Sequence, residues 1–374
     1  MRLCQNSDAA SYVYSRVNIR LSTPALSCAE PLSAGSQHIR LSSQILFVTL
    51  YYTTTTTHGR MVQTMTKTKA KPFLKWAGGK TQLLPTIDSF LPDIFQSEKE
   101  ITYIEPFVGG GAVLFYLLQK YTNIKRVIIN DINPHLINTY KVVRDEPYSL
   151  IDVLNGLQNQ YRALNDYDKQ KEFYLTVRKH FNNKSLTEIE EAAYMIFMNR
   201  TCFNGLYREN SKGEFNVPFG RYSNPTICDE DLILADSELL QNVKILNGDF
   251  SHTAKYVQGY TFFYFDPPYR PLDATSSFNS YVKESFDDNE QIRLKDFYSA
   301  LSDEGCNALL SNSDCKSRNA EDDFFDRLYA DFFIARVYAK RCINANPAKR
   351  GTLTELLIRN YENYQGNIQK FIAT

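Results

Sequence analysis

The chain has 374 residues, 43% apolar and 13% aromatic, enough to bury one large core or two modest ones as a soluble globular protein. Its 42 basic and 42 acidic residues cancel, so no global field attracts nucleic acid and any such contact must come from a local patch. The seven cysteines form no C-x-x-C pair and the five histidines no H-E-x-x-H spacing, which argues against a metal site; the scattered thiols read as small buried hydrophobes of a reducing cytoplasm.

Residues 1–60 carry five Arg, no Lys and only Asp8 and Glu30 as acids, with many Ser and Thr and a Thr run at 53–57. Their one apolar run, 45–52, is shorter than the roughly 20 residues a membrane-spanning helix needs. This composition suits an unstructured extension, an organelle transit peptide or a start codon set too early, since Met61 and Met65 stand just before the first organised segment. Residues 1–64 are accordingly set apart from the fold.

From residue 71 onward, short β-rich apolar runs alternate with helical stretches. Strands are predicted at 103–107, 127–130, 243–246, 262–265, 308–311 and 355–358, with helices at 112–120 and 134–143 between the first of them. That alternation specifies an α/β fold with a doubly wound, mostly parallel sheet. It breaks between 150 and 230, where Leu186, Ile189, Ala193, Ile196 and Phe197 mark a helix over 186–198 that runs into an irregular segment, 199–222, rich in Asn, Gly, Arg and aromatics. The expected organisation is a sheet domain, 65–149 and 231–374, interrupted by a mainly helical domain, 150–230.

Three segments carry chemistry. Glu105-Pro106-Phe107-Val108-Gly109-Gly110-Gly111 closes a strand and opens a helix, and glycines there let the backbone turn tightly and approach a ligand. A dinucleotide, a phosphate, S-adenosylmethionine or plain packing would all use such a turn. Asp131 follows the next strand, 26 residues beyond Glu105, where an acidic side chain typically accepts ribose hydroxyls. Asn133 and Pro134 supply the cap and first turn of the following helix, which leaves Asp131 free. The third segment is Asp266-Pro267-Pro268-Tyr269 after four consecutive aromatics. Two prolines must end a buried strand, but each position also has a chemical use. The adenine amino group is a poor nucleophile because its lone pair is delocalised. The Asp266 carboxylate and Pro267 carbonyl, accepting its two N–H groups, would favour a pyramidal nitrogen, while Tyr269 stacks on a base flipped from the duplex.

Taken in order, Phe73-Leu74-Lys75-Trp76-Ala77-Gly78-Gly79-Lys80, the E-P-F-V-G-G-G turn, N-D-I-N at 130–133, Asn204-Gly205-Leu206-Tyr207-Arg208, the block from Gly213 to Tyr222 and D-P-P-Y resemble the Dam-like DNA adenine-N6 methyltransferases across roughly residues 71–360. Ser311-Asn312 and Ile343-Asn344 look like later blocks of that family. The resemblance implies the S-adenosylmethionine-dependent methyltransferase fold, with the inserted domain reading DNA. It implies a cofactor set of Trp76, Lys80, Glu105, Pro106, Phe107, Gly109, Gly111, Asp131, Asp249 and Asp266, and a catalytic set of Asp266, Pro267 and Tyr269. It further implies DNA contacts by Lys75, Asn204, Leu206, Arg208, Pro218, Arg221 and Tyr222, with adenine in GATC as target. Double-stranded DNA is then the partner, and a restriction endonuclease acting separately on the same site is compatible with it. The bland alternative for 204–222 is a β-hairpin turned by Gly213 and Gly220.

Other readings explain less. A cytosine-N4 methyltransferase would share the amino-activation logic but often has Ser where Asp266 stands. Glutamine-amide methyltransferases commonly carry N-P-P-Y and lack the basic, Asn-rich insert. A catalytically silent DNA-binding regulator of the same fold would not need Asp266 and Tyr269, and a nicotinamide-dependent oxidoreductase gives D-P-P-Y no role.

Overall fold

Residues 68–183, 185–270, 286–340 and 352–362 are described by a computed structural model; the expectations for 1–64 and for Ile343-Asn344 lie outside them. The strands are β1 (Ile101–Glu105), β2 (Ile124–Asp131), β3 (Val243–Asn247), β4 (Tyr260–Phe265), β5 (Asn307–Ser313), β6 (Phe333–Lys340) and β7 (Thr352–Arg359). They form one sheet in the order β3-β2-β1-β4-β5-β7-β6. The first five are parallel, whereas β7 runs antiparallel to both β5 and β6.

Because successive strand residues point to opposite faces, the apolar runs serve two cores at once. Tyr103, Ile129, Phe262, Tyr264 and Leu309 join one cluster with residues of α2 (Ala112–Lys120), α3 (Pro134–Asp145) and α7 (Glu230–Leu240). Ile104, Ile128, Phe263, Phe265 and Leu310 join the other, with Leu294, Tyr298 and Leu301 of α8 (Asp288–Asp303) and Phe325 of α9 (Phe324–Leu328). The short helix α1 (Leu84–Ser89) adds Ile87 to the first cluster.

The segment between α3 and α7 supplies α4 (Pro147–Ala163), α5 (Tyr167–Asn182) and α6 (Glu188–Thr201). The helix expected over 186–198 is α6. It starts at Glu188 because Thr187 and Glu190 form a reciprocal capping box. It is buried along most of its length, and its side chains share the first cluster with α3 and the sheet. Beyond it, two isolated bridges, Cys202 with Phe219 and Glu209 with Phe215, fold 202–219 back on itself. Gly213, at φ 73°, turns this segment as a hairpin glycine should. Gly220 does not; it presses on the Cys202 backbone, and the left-handed residue there is Arg221, at φ 61°.

Candidate active site at the carboxyl ends of the strands

Strand order reverses between β1 and β4, and in an open α/β sheet the crevice for ligands opens at such a point, beyond the strand carboxyl ends. The segments singled out in the sheet domain stand in that row: Glu105 closes β1, Asp131 closes β2, Asp249 follows β3 and Asp266 follows β4. Trp76 and Lys80 arrive from the loop before α1.

The glycine turn leaves β1 two residues earlier than predicted, since the strand ends at Glu105 and not at 107. Gly109 and Gly111 take left-handed φ values of 48° and 72°. A Cβ on Gly109 would lie 2.9 Å from Trp76 Cδ1, and one on Gly111 would lie 2.5 Å from the Tyr140 hydroxyl, so the backbone comes as close as only glycine permits. Tyr140 donates to the Gly109 carbonyl at 3.0 Å, and Asn130 Nδ2 donates to the carbonyls of Pro106 (3.0 Å) and Gly248 (2.9 Å), fixing the loops after β1 and β3 together. Asp131 accepts from Gly109 N at 3.1 Å and Asn133 N at 3.0 Å, and Asn133 caps α3 by accepting from Leu136 N. Burial nevertheless pushes the Asp131 carboxyl up to about 6, those backbone donors opposing it.

Three further members of the expected cofactor set make these contacts within the protein. Glu105 is buried under the turn and accepts from the Tyr103 hydroxyl at 2.6 Å; burial raises its carboxyl well above the usual range. Phe107 packs on Phe250 and Phe286, with centroids 5.3 and 5.7 Å away. Asp249 takes both terminal nitrogens of Arg293, at 3.0 and 2.7 Å, and that guanidinium holds its carboxyl below the usual carboxylate range.

At the end of β4, Asp266 Oδ1 receives the Lys80 ammonium at 2.8 Å and the Ser311 hydroxyl at 3.0 Å. Burial raises the Asp266 carboxyl, while Lys80 and Ser311 pull it back. The same ammonium lies 4.5 Å from the centre of the Tyr269 ring and donates to the Gly78 carbonyl at 2.6 Å. Tyr269 in turn donates its hydroxyl to Glu355 Oε2 at 2.7 Å. Pro267 is buried and Pro268 exposed, its carbonyl accepting from Gln291 Nε2 at 3.1 Å. Ser311 stands in a block the sequence had marked, whereas Glu355 gave no signal beyond lying in a predicted strand.

Of the residues expected to contact DNA, Lys75 and Tyr222 are brought together, and Pro218 is tied to the segment that carries Asn204. Phe203 N donates to the Pro218 carbonyl at 2.8 Å, Lys75 lies 5.0 Å over the Tyr222 ring, and the Lys75 side chain packs against Gly205. Lys75, Asn204, Pro218 and Arg221 are exposed; Leu206, Arg208 and Tyr222 are half-buried. Arg208 Nε donates to Asn216 Oδ1 at 2.7 Å, which orients its guanidinium. Arg221 lies 5.5 Å over the Tyr167 ring. Phe203, half exposed beside Asn204, gave no signal in the sequence, because its neighbours there do not reveal that it stays exposed. The 203–208 segment meets the glycine turn at Trp76, whose ring stacks on Tyr207 at 5.6 Å while its edge touches Gly109.

The chain is similar to known proteins over this whole region. The family described as D12 class N6 adenine-specific DNA methyltransferase matches residues 76–343. A type II methyltransferase, M.MjaIII, of Methanocaldococcus jannaschii is 53% identical over 296 residues, 78% of this chain and 100% of that one. The DNA adenine methylase of Vibrio cholerae is 36% identical over 247 residues, and that of Escherichia coli K12 is 34% identical over 246, each match covering 66% of this chain and 82% of the relative. The chain belongs to the D12 class N6 adenine-specific DNA methyltransferase family, and that membership implies DNA as its substrate and S-adenosylmethionine as its methyl donor.

Proposed function

We propose that the enzyme methylates adenine N6 within GATC, on a base flipped out of the duplex into the Asp266-Pro267-Pro268-Tyr269 site. The observation that carries this reading is the Lys80 ammonium, an N–H donor held by the Asp266 carboxylate at 2.8 Å and by the face of Tyr269 at 4.5 Å. An adenine amino group needs that same pair of partners, an acceptor for its hydrogen and an aromatic face for its ring. The flipped base would take over the contacts that Lys80 makes here.

The glycine turn and Asp131 fit the methyl donor. Gly109 and Gly111 take left-handed turns that hold the backbone close against Trp76 and Tyr140, and beside them Asp131 offers a carboxylate for ribose hydroxyls. Trp76 adds an aromatic face that suits a cationic sulfonium by about 0.5 to 2 kcal/mol. When bound, S-adenosylmethionine supplies the electrophilic methyl group. The protein's own part is to prepare the nucleophile. Asp266 and the Pro267 carbonyl hold the two amino hydrogens, which favours a pyramidal nitrogen with its lone pair exposed. Tyr269, its hydroxyl fixed by Glu355, holds the ring plane. Extrusion of the base costs a few kcal/mol, which stacking on Tyr269 partly offsets.

For sequence choice, Arg208 offers a bidentate donor to guanine, Asn204 suits adenine edges or backbone oxygens, and Lys75 and Arg221 suit phosphates. Phe203, with Leu206 and Pro218, provides apolar surface for a thymine methyl or a wedge between unstacked bases. The test is methyl incorporation into duplexes containing GATC or single changes of its base pairs, with the product probed by a methylation-dependent GATC nuclease. Labelled adenine confined to GATC supports the reading. Methylation of an unrelated site removes the GATC assignment and leaves the chemistry standing.

A further inference from the structure

We infer that Asn199 is a positioning residue that locks the recognition turn 203–208 to the loop 75–80, so that occupancy of the cofactor pocket and grip on DNA are coupled through it. The inference rests on the proposed roles of those two segments. Asn199 lies in the last turn of α6 and is buried at 3% exposure. Its amide accepts from Lys75 N at 2.8 Å, donates to Lys75 O at 2.8 Å and donates its second hydrogen to Gly205 O at 2.9 Å. One planar side chain thus satisfies both backbone groups of Lys75 and ties that residue to the turn. The bond to Gly205 O is buried and the two to Lys75 are partly so, and breaking one leaves a polar atom of the buried Asn199 amide unpaired.

The surrounding packing leaves the two segments little freedom to move apart. Gly205, at φ 63°, leaves little room for a side chain, because a Cβ there would lie 2.8 Å from Lys75 Cβ and 3.2 Å from the Asn199 carbonyl oxygen. Asn204 holds a left-handed φ of 55° beside it, a strained conformation that over-determined surroundings must maintain. Arg200, the next residue of α6, donates to Phe73 O at 2.8 Å, so the end of that helix grips the approach to the loop as well. From Lys75 the chain passes directly to Trp76, which touches Gly109 on one side and stacks on Tyr207 on the other. A ligand ordering Trp76 therefore orders the turn that carries Asn204 and Leu206, and by linkage DNA on that turn must tighten the ligand equally.

The test measures binding of a labelled GATC duplex, and of one with an altered outer base pair, with and without S-adenosylhomocysteine. The wild type is expected to gain at least about fivefold in GATC affinity from the ligand, the lower end of ordinary allosteric coupling. Asn199→Asp keeps the acceptor for Lys75 N and removes both donors, and its ratio is expected to fall below about twofold with the thermal midpoint still showing a folded protein. Gly205→Ala, which forces turn and loop apart at the far end of the same lock while keeping the Asn199 side chain, is expected to act alike and serves if Asn199→Asp does not fold. A folded variant retaining the wild-type ratio overturns the inference, as does a wild type with no coupling. A wild type that does not prefer GATC defeats the functional reading instead, a result visible in the ligand-free arm.

Discussion

The Lys80 ammonium sits between two groups of the D-P-P-Y segment, 2.8 Å from Asp266 Oδ1 and 4.5 Å from the centre of the Tyr269 ring. It neutralises a half-buried carboxylate, and under the proposed function the adenine amino group would take its place there.

Asp266→Ala is accordingly expected to abolish transfer in a folded protein. Preorganised transition-state partners contribute about 3 to 4 kcal/mol each, so turnover should drop by at least two to three orders of magnitude. Single-turnover methylation of a GATC duplex reads this; more than a tenth of wild-type turnover would sink the assignment.

Lys80→Met should move the acid limb of the rate profile. Burial raises the Asp266 carboxyl and Lys80 is the larger of the influences that lower it, so removing the ammonium raises it further. The ionised acceptor then prevails only at higher pH, and kcat/KM should reach its plateau later than in the wild type. An unshifted limb would show that the carboxylate does not depend on this lysine.

Cofactor affinity should fall as pH drops through about 6, because burial holds the Asp131 carboxyl there and the ionised form is the better acceptor for ribose hydroxyls. Folding has the opposite sign: a raised carboxyl disfavours the ionised native state, so Asp131 costs stability increasingly as pH rises from its ordinary value toward about 6. Calorimetric titration with S-adenosylhomocysteine between about pH 5 and 8 reads the binding effect, and denaturant unfolding without ligand from about pH 4 upward reads the folding one. Asp131→Asn should bind weakly and lose this pH dependence; a variant with the wild-type profile would assign it to another group.

Two glycines should respond in opposite directions. Gly111→Ala forces a side chain into a left-handed backbone and against Tyr140, and should cost about 1 to 3 kcal/mol of unfolding free energy. Gly156→Ala in α4 meets nothing within 4 Å and should stabilise by about 0.5 to 1 kcal/mol. Denaturant unfolding of both variants checks the pair, and equal midpoints would contradict the packing described around the turn.

Arg208→Ala should raise methylation at sites with one altered outer base pair relative to GATC, since a lost bidentate base contact costs about 1 to 3 kcal/mol at one position. Uniform weakening across all sequences would make Arg208 a phosphate clamp.

Much of the sheet was legible in the sequence because its signals are local. The runs of β1, β2 and β4 are apolar on both faces and end at Glu-Pro, Asn-Asp and Asp-Pro-Pro, so strand, stop and functional side chain lie within a few residues of one another. The bounds of α2 and the Asn133 cap of α3 were readable for the same reason. Strand β6 was not, because an edge strand pairs only with β7 and keeps Phe333 and Tyr338 exposed, leaving no clear apolar period. Nor could the sequence give the antiparallel direction of β7, which depends on where the chain returns to the sheet.

The sequence by itself determined which chemical groups stand at the ends of the strands. Only the tertiary structure decided their partners: Lys80 and Ser311 for Asp266, Glu355 for Tyr269, Arg293 for Asp249 and Asn199 for Lys75 and Gly205. These pairs join residues far apart in the chain, and short-range periodicity carries no information about which loops will meet. Their hydrogen bonds and ion pairs are set by how the layers pack around the sheet, and that packing also fixes which carboxyls are buried and so how readily each gives up its proton.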